Sequence, residues 1–153
     1  MNDALKLIEH FERAACEDPL RSHFNPYGLL AIGYGHTKGV LEGQTLTREE
    51  ADFIAINELE KLIHEIDALL PPFTRAEMSL NMRQAVASFA HSIGLNLFTQ
   101  TSILTRLKSR RYCDVPKELL KFNHHEGREL RVLNRRRQSE AALFCSFPNW
   151  IVK

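Results

Sequence analysis

The chain has 153 residues, of which 44% are apolar and 25% are charged, and its formal net charge is only +1. These values fit one globular domain that is long enough to bury a hydrophobic core. No apolar run approaches the roughly 20 residues that a bilayer-spanning helix needs, and charges interrupt the N-terminal segment where a secretory signal would lie. We therefore expect a soluble protein without a signal peptide, cytoplasmic as synthesised, or in the host cytosol if a phage encodes it.

The charge is unevenly distributed along the chain. Up to Thr105 there are 8 Lys/Arg and 14 Asp/Glu residues, whereas from Arg106 onward there are 12 and 5. A basic C-terminal half suits an anionic polymer, such as a cell wall or a nucleic acid. An ordinary solvated helical surface is an equally good interpretation, so a basic nucleic-acid-binding protein remains one hypothesis.

The cysteine pattern predicts neither disulfides nor a metal centre. Cys16, Cys113 and Cys145 make an odd number, and neither C-x-x-C nor H-E-x-x-H occurs. Reduced thiols in a cytosolic protein fit this pattern. A metal site built from His124, His125 and a cysteine is the weaker alternative. We expect no cofactor and no metal.

The N-terminal part of the chain predicts a helix followed by a small sheet. Ala4, Leu7, Ile8 and Phe11 follow the spacing of an amphipathic helix over residues 3–13, which Asn2 or Asp3 would cap. Residues 14–46 contain many glycines and prolines and suit turns. Two short strands, Leu29–Tyr34 and Val40–Gln44, would form a hairpin there.

The rest of the chain predicts helices. Thr47 and Glu50 form a capping-box pattern before a long helix, which Pro71 and Pro72 end. Thr74 and Glu77 repeat the capping-box pattern. Further helices follow: one that carries Val86, Phe89, Ala90 and Ile93 and ends at Gly94, and shorter ones near 101–108, 114–122 and 134–144.

This order of elements indicates an α+β fold with two lobes in a single domain, 1–153. Residues 1–46 would form the N-terminal helix and small sheet, 47–70 a long connecting helix, and 71–153 a helical lobe and tail. Clefts form readily between lobes of this kind.

Two segments carry the most specific motif: Leu7–Glu12, and the block from Asn25 to Thr37 that contains Gly-Tyr-Gly-His. Together they resemble the phage-type lysozymes, glycoside hydrolase family 24. Later segments resemble the same family in the same order: Ala87–Ala90 with Ile93 and Gly94, Phe98 with Thr101–Leu104, and Leu133 to Phe144. The resemblance implies a mostly helical lysozyme-like fold with a small antiparallel β-hairpin sheet. It also implies a monomer that acts on the β-1,4 N-acetylmuramic acid–N-acetylglucosamine linkage of peptidoglycan.

The resemblance assigns Glu12 as general acid and exposes two departures. Asn25 stands where the family has its catalytic Asp, and Ala31 stands where the family has a Thr. Because a neutral amide is a poor base, and because Ala31 lacks a hydroxyl, we expect muramidase activity to be severely reduced or lost. The alternative is a fully active muramidase, or endolysin, in which Glu17, Asp18 or His36 replaces the missing base.

The remaining functional expectations also come from the resemblance. Thr37, His91 and Thr101 match positions that line the sugar groove, although each would also suit a structural or surface role. The run Arg135–Arg137 matches an arginine-rich helix and favours a structural role over binding of an anionic polymer. Trp150, with the apolar residues beside it, would pack back on the fold rather than bind a partner.

Overall fold

The structure, a computed structural model, describes residues 3–146. The predicted cap at Asn2 and the predicted packing of Trp150 lie outside these residues. The helices are α1 (Asp3–Ala15), α2 (Arg48–Leu69), α3 (Pro72–Glu77), α4 (Leu80–Ile93), α5 (Leu95–Phe98), α6 (Ser102–Lys108), α7 (Val115–Leu120) and α8 (Arg131–Cys145). The strands form two antiparallel pairs, β1 (His23–Phe24) with β2 (Leu30–Ala31) and β3 (His124–His125) with β4 (Arg128–Glu129).

Helix α1 buries one face, as predicted, but with Leu5 buried in place of Leu7, which is only half-buried. Ala4, Leu5, Ile8 and Phe11 are buried, and the backbone N–H of Asp3 donates to Gln84 Oε1 at 2.8 Å. Four apolar residues at helical spacing are enough to dock this face on the core. The helix therefore carries its last turn, with Glu12, to a fixed position beside the first hairpin.

The predicted first hairpin is only partly correct. The strand expected at Leu29–Tyr34 is reduced to Leu30–Ala31, and its partner is His23–Phe24 rather than Val40–Gln44. The prediction of a strand at 40–44 is wrong because Gly39 and Gly43 both have positive φ. Between them the Leu41 N–H donates to Gln44 Oε1, and the Gln44 N–H donates to the Leu41 carbonyl, so this segment closes into a turn.

Helix α2 begins at the predicted capping box. Thr47 Oγ1 accepts from the Glu50 N–H at 3.1 Å, and Glu50 Oε2 accepts from the Thr47 N–H at 2.7 Å. Each contact satisfies a donor that the first turn leaves free. The helix ends at Leu69, before the two prolines, as predicted.

The second predicted capping box, at Thr74, is wrong. Pro72 is already the first residue of α3, so Thr74 lies inside that helix, where it is fully buried. Proline suits the first helical turn because its missing N–H would have no partner there. The next side-chain cap is Ser79, whose Oγ accepts from the Met82 N–H at the start of α4.

Helix α4 forms the centre of the core. Residues 84–90 are all buried, and the helix packs against α1, α2 and α8 before Gly94 ends it. The β3–β4 hairpin was not predicted; its turn places Glu126 and Gly127 at positive φ. The fold class is confirmed: a mostly helical protein with small antiparallel sheets. Across residues 3–146, the helices are too short or too polar to span a bilayer.

Candidate active site

A cleft of about 420 Å³ separates the end of α1 and the end of α4 from the first hairpin. We call the α1 and α4 side the helical wall and the β1–β2 side the hairpin wall. The lining residues are Glu12, Ala15, Cys16, His23, Phe24, Asn25, Pro26, Tyr27, Ala31, Gly33, Gly35, His91 and Ser92. This volume lies within the range of small-ligand sites in proteins.

Glu12 is the single carboxylate among these lining residues. Its side chain is 28% exposed, so it reaches the cleft while staying largely enclosed. Gly35 lies close to both side chains: a Cβ added there would be in van der Waals contact, 3.6 Å from Glu12 Cδ and 3.5 Å from the His91 ring. The residue predicted as general acid therefore faces a cavity that admits a ligand.

Helix α8 holds Glu12 from behind the helical wall. Arg136 is buried and places Nη1 3.3 Å from Glu12 Oε1, while its Nε lies 3.3 Å from Glu140 Oε1. The same guanidinium lies over the Phe11 ring and donates to the Ser88 carbonyl. The planar guanidinium of Arg136 thus connects Glu12 on α1 with α4 and α8.

Two buried arginines, Arg136 and Arg137, form ion pairs with the buried carboxylate of Glu140. Arg137 and Glu140 are fully buried: Nη2 donates to Glu140 Oε1 at 3.0 Å, and Nε lies 2.7 Å from Oε2 without the alignment of a hydrogen bond. Ser88 Oγ also donates to Glu140 Oε1 at 2.7 Å. Burial raises the pKa of Glu140, and the two guanidiniums oppose that rise; burial likewise lowers the pKa of Arg137. Arg136 and Arg137 therefore have the structural role that was predicted for the run Arg135–Arg137, whereas Arg135 is exposed.

Asn25 lies on the hairpin wall, and its amide oxygen is used by the turn. Oδ1 accepts from the Tyr27 N–H at 2.9 Å and from the Leu29 N–H at 3.0 Å. Because both partners are backbone donors, the oxygen is held by the turn, and Asn25 lines the cleft as a neutral amide. An NH₂ group donates hydrogen bonds and cannot remove a proton from water.

Ala31 adds only a methyl group to the hairpin wall. It is 2% exposed, lines the cleft and pairs directly with His23 across the two strands. No hydroxyl or carboxylate is therefore present at either of the two positions where the family pattern has Thr and Asp.

His91 lines the helical wall beside Glu12, consistent with the groove position assigned to it. Burial, with a smaller contribution from Arg136, lowers its pKa from 6.5 to about 4. Its Nδ1 is buried and has no hydrogen-bond partner within residues 3–146. The ring is therefore neutral near pH 7.

The other two predicted sugar contacts lie elsewhere. Thr37 is exposed but does not line the cleft. Thr101 is 6% exposed; its hydroxyl donates to the Phe98 carbonyl at 2.8 Å and accepts from the Leu104 N–H to cap α6. These contacts give Thr101 a structural role, and a sugar contact from either threonine stays a prediction.

The three candidate replacement bases do not line the cleft. Glu17 and Asp18 are exposed in the connection after α1. His36 places Nδ1 2.6 Å from Glu58 Oε1 on α2, and its backbone forms a bridge with Ile32. His36 therefore connects the hairpin region to α2, which was the structural alternative for this residue.

Several lining residues were not identified from the sequence. His23, Phe24 and Tyr27 come from the hairpin, while Cys16 and Ser92 come from the ends of the flanking helices. Phe24 and Tyr27 are mostly exposed, and Tyr27 meets His125 of the second hairpin edge-on at 5.4 Å. The aromatic residues Phe24 and Tyr27, close to Asn25 in the sequence, could have indicated that this segment lines the cleft.

A helical protein with a carboxylic acid in a cleft beside a small hairpin has the layout of a lysozyme-like protein. The sequence matches the Phage lysozyme family over residues 7–140, and the chain belongs to that family. This confirms the predicted family and, since the family implies a peptidoglycan substrate, the predicted lysozyme-like action on peptidoglycan.

Relatives and solved structures agree with this assignment. The endolysin of Acyrthosiphon pisum secondary endosymbiont phage 1 is 30% identical over 123 residues, which cover 78% of this chain and 82% of that protein. The chain spans about half the length of two Bacillus phage endolysins, 43% for phage B103 and 53% for phage PZA, each at 27% identity.

Two solved structures show the same fold. The muramidase domain of SpmX from Asticaccaulis excentricus superposes with a TM-score of 0.81 at 27% identity, over 95% of this chain and 97% of that domain. The endolysin of Escherichia coli O157:H7 phage FAHEc1 has a TM-score of 0.77 at 20% identity, over 97% of this chain and 96% of that one.

Proposed function

We propose that this protein binds peptidoglycan glycan strands in the Glu12 cleft and hydrolyses the N-acetylmuramic acid–N-acetylglucosamine linkage slowly, as a muramidase of severely reduced activity. The observation that carries this proposal is the contrast between the two walls. The helical wall presents a carboxylic acid that can protonate a leaving oxygen, while the hairpin wall presents an amide donor and a methyl group at the matched positions.

The loss of hydrolysis rate can be estimated from the catalytic groups that are missing. Glycoside hydrolysis normally uses one carboxyl group as acid and a second as base or nucleophile. A general base contributes about 10²–10⁴-fold to rate. Losing the group that positions the water lowers the rate further, although such effects are not additive. The protein is therefore expected to hold the glycan and to cleave it at a small fraction of a complete enzyme's rate.

The competing functions have less support. A fully active enzyme that uses Glu17, Asp18 or His36 as base would require one of them to enter the cleft, and all three lie outside its lining. Nucleic-acid binding by the arginine run would require exposed charge, but Arg136 and Arg137 are buried in ion pairs with Glu140.

Purified glycan strands, digested and analysed by mass spectrometry of the muropeptides, test this function. Slow cleavage by the parent protein is expected, with loss of cleavage in Glu12→Gln and no change in Glu17→Gln, an exposed control. Both variants are expected to retain glycan pulldown. Cleavage that survives Glu12→Gln, or a parent protein that does not cleave glycan, would overturn the proposal.

We also propose that the protein acts as a monomer and is synthesised in the cytoplasm. One chain contributes both walls of the cleft, so the site needs no second copy. Light scattering coupled to size exclusion should give the mass of one chain, 17.6 kDa. Fractionation of expressing cells before lysis should recover the protein with cytoplasmic markers, and recovery in the membrane or the medium would contradict this.

A further inference from the structure

We propose that His23 is the general base that supports the residual hydrolysis in this cleft. This inference rests on the proposed function. It assigns to His23 the activation of water, which neither Asn25 nor Ala31 can carry out. His23 lines the cleft from strand β1, and Glu12 lines it from the helical wall. A glycan held between the walls would therefore meet an acid on one side and an imidazole on the other.

The strand register places His23 next to the missing hydroxyl. His23 pairs directly with Ala31 in the antiparallel β1–β2 ladder, and both line the same cleft. Directly opposite residues on one face of such a ladder have Cβ atoms about 4.5–5.5 Å apart. Because Ala31 has only a methyl group, it has no hydroxyl that could hold a water beside the imidazole.

The backbone fixes which ring nitrogen can act as the base. His23 Nδ1 lies 3.1 Å from the Arg21 carbonyl oxygen, which can only accept a hydrogen bond. Nδ1 must therefore carry the proton, and in the neutral ring the lone pair resides on Nε2. Within residues 3–146, no hydrogen bond engages Nε2, so it is available to a water in the cleft.

The reaction balances with these two groups and one water. His23 Nε2 takes a proton from water as the water oxygen bonds to the anomeric carbon. The bond from that carbon to the linking oxygen breaks, its electron pair stays on the linking oxygen, and Glu12 gives that oxygen its proton. The ring is left as imidazolium and Glu12 as carboxylate, and the return of one proton from His23 to Glu12 through solvent restores both. A water that attacks from the face opposite the acid gives inversion at the anomeric carbon.

Several titratable groups share the cleft with His23. The titratable groups that share the cleft are Glu12 and Cys16 from the α1 side, His91 from α4, and Tyr27 from the same hairpin. Arg21 is the nearest charged residue on its own segment and is exposed. Among the residues that line the cleft, His23 is the one basic side chain on the hairpin wall.

Rate measurements on His23→Gln test the assignment, with His124→Gln, an exposed histidine on β3, as the matched control. His23→Gln is expected to lower kcat by roughly 10²-fold or more while leaving KM and glycan binding unchanged. Added imidazole should restore cleavage to His23→Ala, which a purely structural role would not allow. In an Asn25→Asp/Ala31→Thr background, where the carboxylate takes over, His23→Gln should change the rate only slightly.

The outcomes separate the two proposals. A parent protein that cleaves through Glu12 and loses nothing in His23→Gln would overturn the role of His23 and leave the proposed function intact. A parent protein with no Glu12-dependent cleavage would overturn both. Equal losses in the parent and the Asn25→Asp/Ala31→Thr background, without imidazole rescue, would identify His23 as structural and also overturn its assignment as base.

Discussion

Arg136 connects the candidate acid Glu12 to the buried interior, with its Nη1 3.3 Å from Glu12 Oε1. The two residues are far apart in sequence, and the contact joins α1 to α8 behind the cleft. Because the same guanidinium also pairs with Glu140, the orientation of the acid and the stability of the core depend on one side chain.

Replacement of Arg136 should therefore cost far more than replacement of its neighbour. Arg136→Met removes one of the cations that neutralise Glu140 and is expected to lower the free energy of unfolding by about 3 kcal/mol. Arg135→Met, at an exposed position of the same helix, should change it by less than about 0.5 kcal/mol. Urea titration at pH 7 measures both, and equal effects would show that the buried pair contributes nothing.

Gly35 should be required for the cleft and not only for the turn. It has φ +92°, and an added Cβ would contact both Glu12 and His91. Gly39 has φ +70° with open space around it, so it is the matched control. Both alanine variants should lose about 1–2 kcal/mol from backbone strain. Only Gly35→Ala should also weaken glycan binding and cleavage, as measured by pulldown and digest; parallel losses in Gly39→Ala would contradict this.

His91 should make the folded state sensitive to acid. Burial holds the pKa of His91 in the folded protein at about 4. The pKa of a histidine in the unfolded chain is about 6.5. Between these values the unfolded chain binds more protons, so stability falls as the pH is lowered from about 6.5 to about 4. Comparison of urea titrations at pH 7 and pH 4 should show that His91→Gln reduces this loss by as much as about 3 kcal/mol. An unchanged loss in the variant would contradict the burial of a neutral ring.

The sequence predicted those features that depend on local pattern or on family order. Helical periodicity located α1 and α4, and the Thr47 capping box located the start of α2. The hairpin strands have two residues each, which is too short for an alternating pattern to identify them. Likewise, Thr74 and Glu77 have the pattern of a capping box, but Pro72 starts α3 two residues earlier and places Thr74 inside the helix.

Some residues of the candidate site could be predicted from the sequence, and others could not. Glu12 and Asn25 were identified because they occupy motif positions in the chain. His23 was not identified, because its place in the cleft depends on its cross-strand pairing with Ala31. The sequence does not specify that strand register. Arg136 was placed correctly in a structural role, but its contact with Glu12 depends on helices that meet only in the folded protein.

The central claim is that hydrolysis is slow because the hairpin wall has no carboxylate at Asn25 and no hydroxyl at Ala31. The most direct measurement compares kcat for glycan cleavage in the parent protein and in Asn25→Asp/Ala31→Thr. An aspartate can accept the same two backbone hydrogen bonds through Oδ1, so the turn should remain intact. We expect kcat to rise by about 10²–10⁴-fold in the double variant, and the rise should disappear when Glu12→Gln is added. A parent protein that already cleaves as fast as a correctly folded double variant would contradict the account.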